Sequence, residues 1–264
     1  MQSEKQYIDL YTEAQQLIKE HAAPVLNEVR DKAFEDFRRQ SFPTKKVERY
    51  KYTDMQKLFE PDYGLNLNRL EIPVNPYETF KCDVPNLSTS LYFVVNDQFY
   101  SKALPKAKLN DGVIVDSLNR VATERPELVA KYYGRLANTE ADAITALNTM
   151  LAQDGLFIYV PKNVQLERTI QVINILRSDV DLMVNRRVLI VLEEGAKAQF
   201  LFCDHAADDR NFLATQVIEA YVGANANLEL NCLEETHAKN VRVSNVYIEQ
   251  QRDSRASHNV ITLH

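Results

Sequence analysis

Apolar positions in the first forty residues recur three and four apart. Tyr7, Leu10, Tyr11, Ala14, Leu17 and Ile18 form one such series, and Val25, Val29, Ala33, Phe34 and Phe37 continue it after Pro24. A helix returns to the same face about every 3.6 residues, so this spacing predicts two amphipathic helices over residues 4–41, joined near Ala22 to Pro24. Next, "SFPTKKVERYKYTDMQKLF" supplies Thr44 as a cap and a short helix starting near Thr53 or Asp54. Pro61, Pro73, Pro76 and Pro85 then mark residues 61–90 as an extended linker wrapping the surface.

At Leu91 the period changes to two. "LYFVVNDQFY" predicts a strand, a turn at Asn96 and Asp97 and a second strand, and "DGVIVDSL" adds another. Helical spacing returns over residues 118–152, through Leu118, Val121, Leu128, Val129, Tyr132 and Tyr133 and then Ile144, Leu147 and Leu151; this insertion is expected to cap one end of a sheet. After Gly155 the pattern is almost purely that of strands, and it repeats. "PKNVQLERTIQV", "EEGAKAQFLF", "YVGANANLEL" and "QRDSRASHNV" place turn residues at Asn163, Gly195, Gly223 and Asp253, with "RRVLIVLEE", "FLATQVIEAYV" and "VRVSNVYIEQQ" between them.

A turn, a strand, a loop and a strand in each period of roughly 30 residues is the signature of stacked coils. Ala196, Ala198, Phe200 and Phe202 share one parity, as do Leu228, Leu230 and Cys232, so each unit is expected to bury one face against its neighbours. The small Ala196, Ala198, Ala224 and Ala226 would let the backbone pass closely at a tight corner. Three parts emerge: a helical domain over 1–60, the linker over 61–90 and a β-helix over 91–264 that carries the 118–152 insertion. An antiparallel sandwich has strands of similar length and stays open as the alternative.

Composition removes several function classes. Of 264 residues 45% are hydrophobic, ample for a core, while no stretch reaches the ~20 apolar residues of a membrane span and the polar N-terminus does not resemble a signal peptide. Net charge is −6 with both signs mixed along the chain, which leaves no basic stripe for a phosphate backbone. Nucleic acid and membrane are therefore not expected partners. Three scattered cysteines, Cys82, Cys203 and Cys232, fit a reducing cytoplasm and cannot form a four-thiolate site. Only six glycines occur, and neither common phosphate-cradling motif is present, which disfavours a nucleotide enzyme. Twenty asparagines can serve the left-handed turn positions instead.

Two stretches resemble a known family. "FPTKKVERYKYTDM" is similar to the N-terminal P-T-x-x-x-E-x-W-K-Y-T-D pattern of the SufB and SufD iron-sulfur cluster assembly family, and "LNTMLAQDGLFIYVPKNVQLERTIQV" to that family's entry into its β-helix. Tyr50 stands where the pattern has Trp, and Thr169 where it has Pro; an aromatic still provides a buried anchor, and a strand-initial Pro is optional. The helical N-terminal region with its P-T-x-x-x-E motif points to the SufD branch. The resemblance implies a mainly β protein with an α-helical N-terminal domain, built on a right-handed parallel β-helix, a single-stranded solenoid. Because "SHNVITLH" stops in strand pattern, truncation at the C-terminal end is expected, with the family's later coils and helical region missing.

The resemblance further implies a scaffold subunit without enzymatic activity, partnered by a SufB-like paralogue through the β-helix and a SufC-like ATPase through the missing region. No cofactor is expected to be bound tightly here, the iron-sulfur cluster being handled by the complex. A strand edge left open between coils favours a homodimer of the chain. The runner-up is a β-helix enzyme acting on polysaccharide, for which Glu219, Glu229 and Glu249 on separate coils would supply paired carboxylates.

Among single residues, "CDH" places Cys203 and His205 two apart, on one face of a strand and within ligand reach, as candidate metal donors; a packed or rim thiol is the competing reading. Cys232 follows Leu228 and Leu230 in parity and is expected in the core, while Cys82 lies in the linker without a partner motif. His21, His237, His258 and His264 are scattered, and "DDR" at 208–210 reads as a salt-linked loop. Lys45 and Lys46, followed by "ERYK", form a solvated face or a docking surface for another subunit.

Overall fold

The computed structural model describes residues 2–79, 89–105, 109–110 and 112–263; Cys82, Pro85 and His264 lie outside the described residues. Helices α1 (Gln2–Glu20), α2 (Pro24–Asn27) and α3 (Arg30–Gln40) open the chain, followed by a 3-10 turn at Glu48–Tyr50 and the short α4 (Met55–Leu58) and α5 (Pro76–Thr79). Asp54 caps α4 by accepting from Lys57 N at 3.2 Å. The second expected helix is split in two. Asn27 turns its side-chain amide back onto the carbonyls of Lys19 and Ala22, a local alternative to helix continuation.

Strands β1 (Thr89–Val95), β2 (Gln98–Phe99) and β3 (Ile114–Ser117) precede α6 (Leu118–Glu124), α7 (Pro126–Ala130) and α8 (Ala143–Leu151). Then come β4 (Gly155–Val160), β5 (Thr169–Leu176), β6 (Leu182–Leu192), β7 (Lys197–Ala206), β8 (Phe212–Val222), β9 (Asn227–Glu235), β10 (Asn240–Gln250) and β11 (Arg255–Leu263). They alternate between two sheets, ordered β11-β9-β7-β5-β1-β2 and β10-β8-β6-β4-β3. From β4 onward every pairing is parallel and joins one rung to the next, as in β6 with β8 and β7 with β9. About four turns of a parallel β-solenoid result, and the antiparallel sandwich falls away; among the described residues only β1 with β2 and β3 with β4 pair antiparallel.

The lumen between the sheets is packed, not hollow. Val188, Ile190, Leu192, Phe200, Phe202, Ile218, Leu228 and Leu230 meet there, with Ala196, Ala198 and Ala226 filling the tight corner. Left-handed backbone at Asn163, Gly195, Asn225 and Asp253 turns each rung from one sheet to the other. In the third rung that residue is Asn225 and not Gly223, whose role is different: a Cβ on Gly223 would stand 2.7 Å from Glu194 N of the rung below.

The helical insertion does not cap an end of the solenoid. It lies with α1 to α3 across the outer face of the β4-β6-β8-β10 sheet: Tyr7, Phe37, Ile144 and Leu147 share a cluster with Met183 and Leu213, and Leu118, Val129 and Tyr133 with Phe157 and Leu189. That sheet is consequently buried on both sides, and all eleven residues of β6 are buried. One buried face per unit therefore fails here, because amphipathic helices need an apolar surface and β6 and β8 supply it; on the other sheet it holds along β9 and the start of β7 but not along β5, where residues 170–176 are all buried. Gly64 extends the same sheet, accepting from Met183 N at 2.8 Å and donating to Asp181 O at 3.0 Å.

Candidate functional site

Cys203 and His205 lie on β7 and share its outer face, as strand parity requires. Cys203 is 2% exposed in a cluster with Phe93, Ile173 and Ile175, and accepts from Gln171 Nε2 at 3.6 Å. His205 is partly buried, 4.0 Å from Glu235, and burial lowers its pKa against the pull of that acid. Two donors make half of a four-coordinate set, and among the described residues no three His, Cys, Asp or Glu side chains converge as a metal group.

Cys232 sits in the lumen as its parity predicts, 2% exposed. Burial raises its thiol pKa from 9.0 to about 11, and its Sγ is 3.7 Å from His258 Nε2 on the next rung. Beside it the lumen carries charge. Arg186 reaches across from β6 to Asp204 on β7 at 2.5 Å, Arg242 on β10 bonds the second oxygen of Asp204 and stands 2.7 Å from Glu234, and Arg186 Nε donates to Asn96 O at 2.7 Å. The sequence signal for this ladder is parity: Asp204 continues the inward series of Phe200 and Phe202.

On the opposite, outer face of β6, Arg187 donates to Glu219 at 2.6 Å and to Thr149 Oγ1 at 2.9 Å, with its guanidinium 4.8 Å from the Tyr133 ring centre. Glu219 also accepts from the backbone N–H groups of Gly134, Leu136 and Ala137 at 2.9, 2.9 and 3.0 Å. Neither side chain is exposed by more than 1%. Glu219 is thus a structural anion holding the insertion to the sheet. Glu229 lies on the other sheet, bonded to Gln199, and Glu249 lies on β10 in register with Tyr221, one diagonal step from Glu219, whose own carboxylate is taken up by Arg187 and three amides.

The "FPTKKVERYKYTDM" segment packs as an anchored loop. Phe42 and Tyr50 are 2% and 7% exposed, and the Tyr50 hydroxyl donates to Asp142 Oδ2 at 2.6 Å. Asp142 caps α8 through Thr145 N at 2.8 Å and accepts from Asn245 on β10 at the same distance. Tyr50 therefore serves as the buried aromatic anchor, and the motif ties the helical layer to a solenoid rung.

Two family models match nearly the whole chain: the SufBD protein N-terminal region over residues 1–172, and the SUF system FeS cluster assembly SufBD core domain over residues 174–264. The chain belongs to the SufBD family. Its relatives include the iron-sulfur cluster assembly protein SufD of Bacillus subtilis, 33% identical over 121 residues, which cover 45% of this chain and 27% of that protein. Another is the chloroplastic iron-sulfur cluster assembly SufBD family protein ABCI8 of Arabidopsis thaliana, 32% identical over 131 residues, 48% of this chain and 23% of the relative. The match thus spans well under half of either relative's length. Within this SufBD chain the boundary between the two family regions falls inside β5, so the first rung of the solenoid is shared between them.

Proposed function

We propose that this SufBD protein is a non-catalytic scaffold subunit of a cytoplasmic SUF-type iron-sulfur assembly system. It pairs through its solenoid with a SufB-like paralogue and works with a SufC-like ATPase that docks on the C-terminal region of the full-length protein. The observation that carries this reading is that both family regions map onto one solenoid whose lumen is filled by side chains and whose buried acids are tied to arginines. Such a build offers stiff outer walls for partners. The iron-sulfur cluster is cargo in this reading, its ligands shared between subunits, and the chain holds no cofactor tightly by itself. Neither nucleic acid nor a membrane enters it, and no helix among the described residues is long and apolar enough to cross a membrane.

Anaerobic co-purification of the full-length protein with SufB-type and SufC-type proteins, followed by cluster delivery to an apo-ferredoxin, tests the proposal. A stable complex and loss of delivery on omitting this subunit are expected. Undiminished delivery without it, or failure to join the complex, sinks the scaffold role.

A further inference from the structure

Cys232 on β9 and His258 on β11 stand on neighbouring rungs at the end of the lumen. Strand parity turns both inward: Cys232 follows Leu228 and Leu230, and His258 lies in register with Leu230. The imidazole leans along the rung toward the thiol, which brings its Nε2 to 3.7 Å from Cys232 Sγ. Cys232 is 2% exposed, whereas His258 is exposed to solvent. The pair therefore joins a sealed soft donor to an open route for a small ion.

A thiolate and an imidazole are side-chain donors that soft transition-metal ions favour. Bonds of about 2.3 Å to sulfur and about 2.0 Å to nitrogen, closing a gap of 3.7 Å, place an ion between the two atoms at an angle of about 120°. Two donors are what the site offers. Among the described residues no three His, Cys, Asp or Glu side chains converge, and Glu234, two residues along β9 from Cys232, has both oxygens engaged, by Arg242 at 2.7 Å and by Thr262 Oγ1 at 2.9 Å.

Charge selects the ion. Around the pair, Arg186 and Arg242 are balanced by Asp204 and Glu234, with 2.5 Å between Arg186 and Asp204 and 2.7 Å between Arg242 and Glu234. Burial disfavours a bare thiolate at Cys232, with Arg242 pulling the other way. A monovalent cation on that thiolate restores a neutral unit, equal in charge to the thiol it replaces. A divalent ion would leave one positive charge uncompensated beside two arginines.

We propose that Cys232 and His258 form a two-donor site for a soft monovalent cation of the copper(I) class. Binding breaks the S–H bond and forms a metal–sulfur bond, the proton leaves to solvent, and the metal keeps its oxidation state. His258 Nε2 supplies its lone pair. The ion is an exchangeable guest at the end of the lumen, separate from any cluster cargo, so the inference stands independently of the scaffold role.

The test titrates the chain anaerobically with Cu(I) held by bicinchoninate, whose coloured complex fades as the protein takes the metal. Uptake of one equivalent per chain is expected, with affinity at least about tenfold lower in Cys232→Ser and in His258→Gln and unchanged in Cys203→Ser. Circular dichroism reports whether the variants keep the fold. X-ray absorption at the copper edge of the unsubstituted chain reads the ligands directly, one sulfur and one imidazole being expected. Zn(II) offered alone should bind the parent no tighter than the Cys232→Ser variant. Absence of uptake, affinity that either variant leaves intact, loss of uptake in a folded Cys203→Ser chain, a copper shell of several sulfurs or of oxygen alone, or Zn(II) binding that depends on Cys232 would each overturn the proposal.

Discussion

Arg187 Nη2 stands 2.6 Å from Glu219 Oε2 with both side chains sealed from solvent, and the same carboxylate receives three backbone N–H groups of the 134–137 loop. The pair is therefore the rivet between the helical insertion and the solenoid.

Removing half of a buried ion pair strands the other charge, at a cost of about 3–5 kcal/mol. Glu219→Ala is expected to lose at least that much in urea unfolding, because it orphans three amides as well as Arg187. Arg187→Met in the Glu219→Leu background should not restore stability, since the amides stay unpaired. Recovery to the parent midpoint in the double variant would show that the amide bonds contribute little.

The corner of the third rung separates two kinds of special residue. Gly223→Ala pushes a methyl against Glu194 N of the rung below and should destabilise by about 1–3 kcal/mol. Asn225→Gly, at a φ of 59°, keeps the left-handed turn and should change stability by less than about 0.5 kcal/mol. The reverse order in thermal or chemical unfolding would contradict the assignment of the turn to Asn225.

Cys232 is expected to resist alkylation. With its pKa at about 11, thiolate at pH 8 is scarcer by about a hundredfold than for a thiol at 9.0, and the lumen excludes the reagent besides. Mass spectrometry after brief iodoacetamide treatment should find Cys232 unlabelled in the folded chain and labelled in urea. Rapid native labelling would mean that the last rung opens.

Burial lowers the pKa of His205 against the opposing attraction of Glu235 and Asp204. The folded chain then binds that proton less readily than the unfolded chain, so this contribution to stability is complete above the unfolded value near 6.5 and is lost as pH falls through the folded value. His205→Gln should flatten the stability profile below pH 6.5 relative to the parent. An unchanged slope would assign the acid sensitivity elsewhere.

Strands β10 and β11 are the outermost strands at one end of the two sheets, and Val260, Ile261 and Leu263 on β11 are 50%, 56% and 48% exposed. Open edges with apolar side chains pair with other chains. Sedimentation of this chain is expected to show a concentration-dependent dimer that Ile261→Lys shifts toward monomer. A monomer at all concentrations would remove the homodimer from its partners.

What the residues alone determined was local and periodic. The two-residue alternation and the 30-residue recurrence of turn residues pointed to stacked coils, because a strand's inward and outward faces are set by parity and a rung cannot be buried without its neighbours, while the parallel pairing that removes the sandwich came from the register of the strands. The inward position of Cys232 and the shared face of Cys203 and His205 follow from the same rule. Parity says which way a side chain points, not what meets it there. That Glu219 faces Arg187 and the 134–137 amides, that Arg186 crosses the lumen to Asp204, and that the helices lie along β6 and β8 instead of over an end depend on contacts between segments 18 to 120 residues apart. Such contacts are selected by the joint packing of whole surfaces and the pairing of buried charge, so the tertiary structure alone decided them.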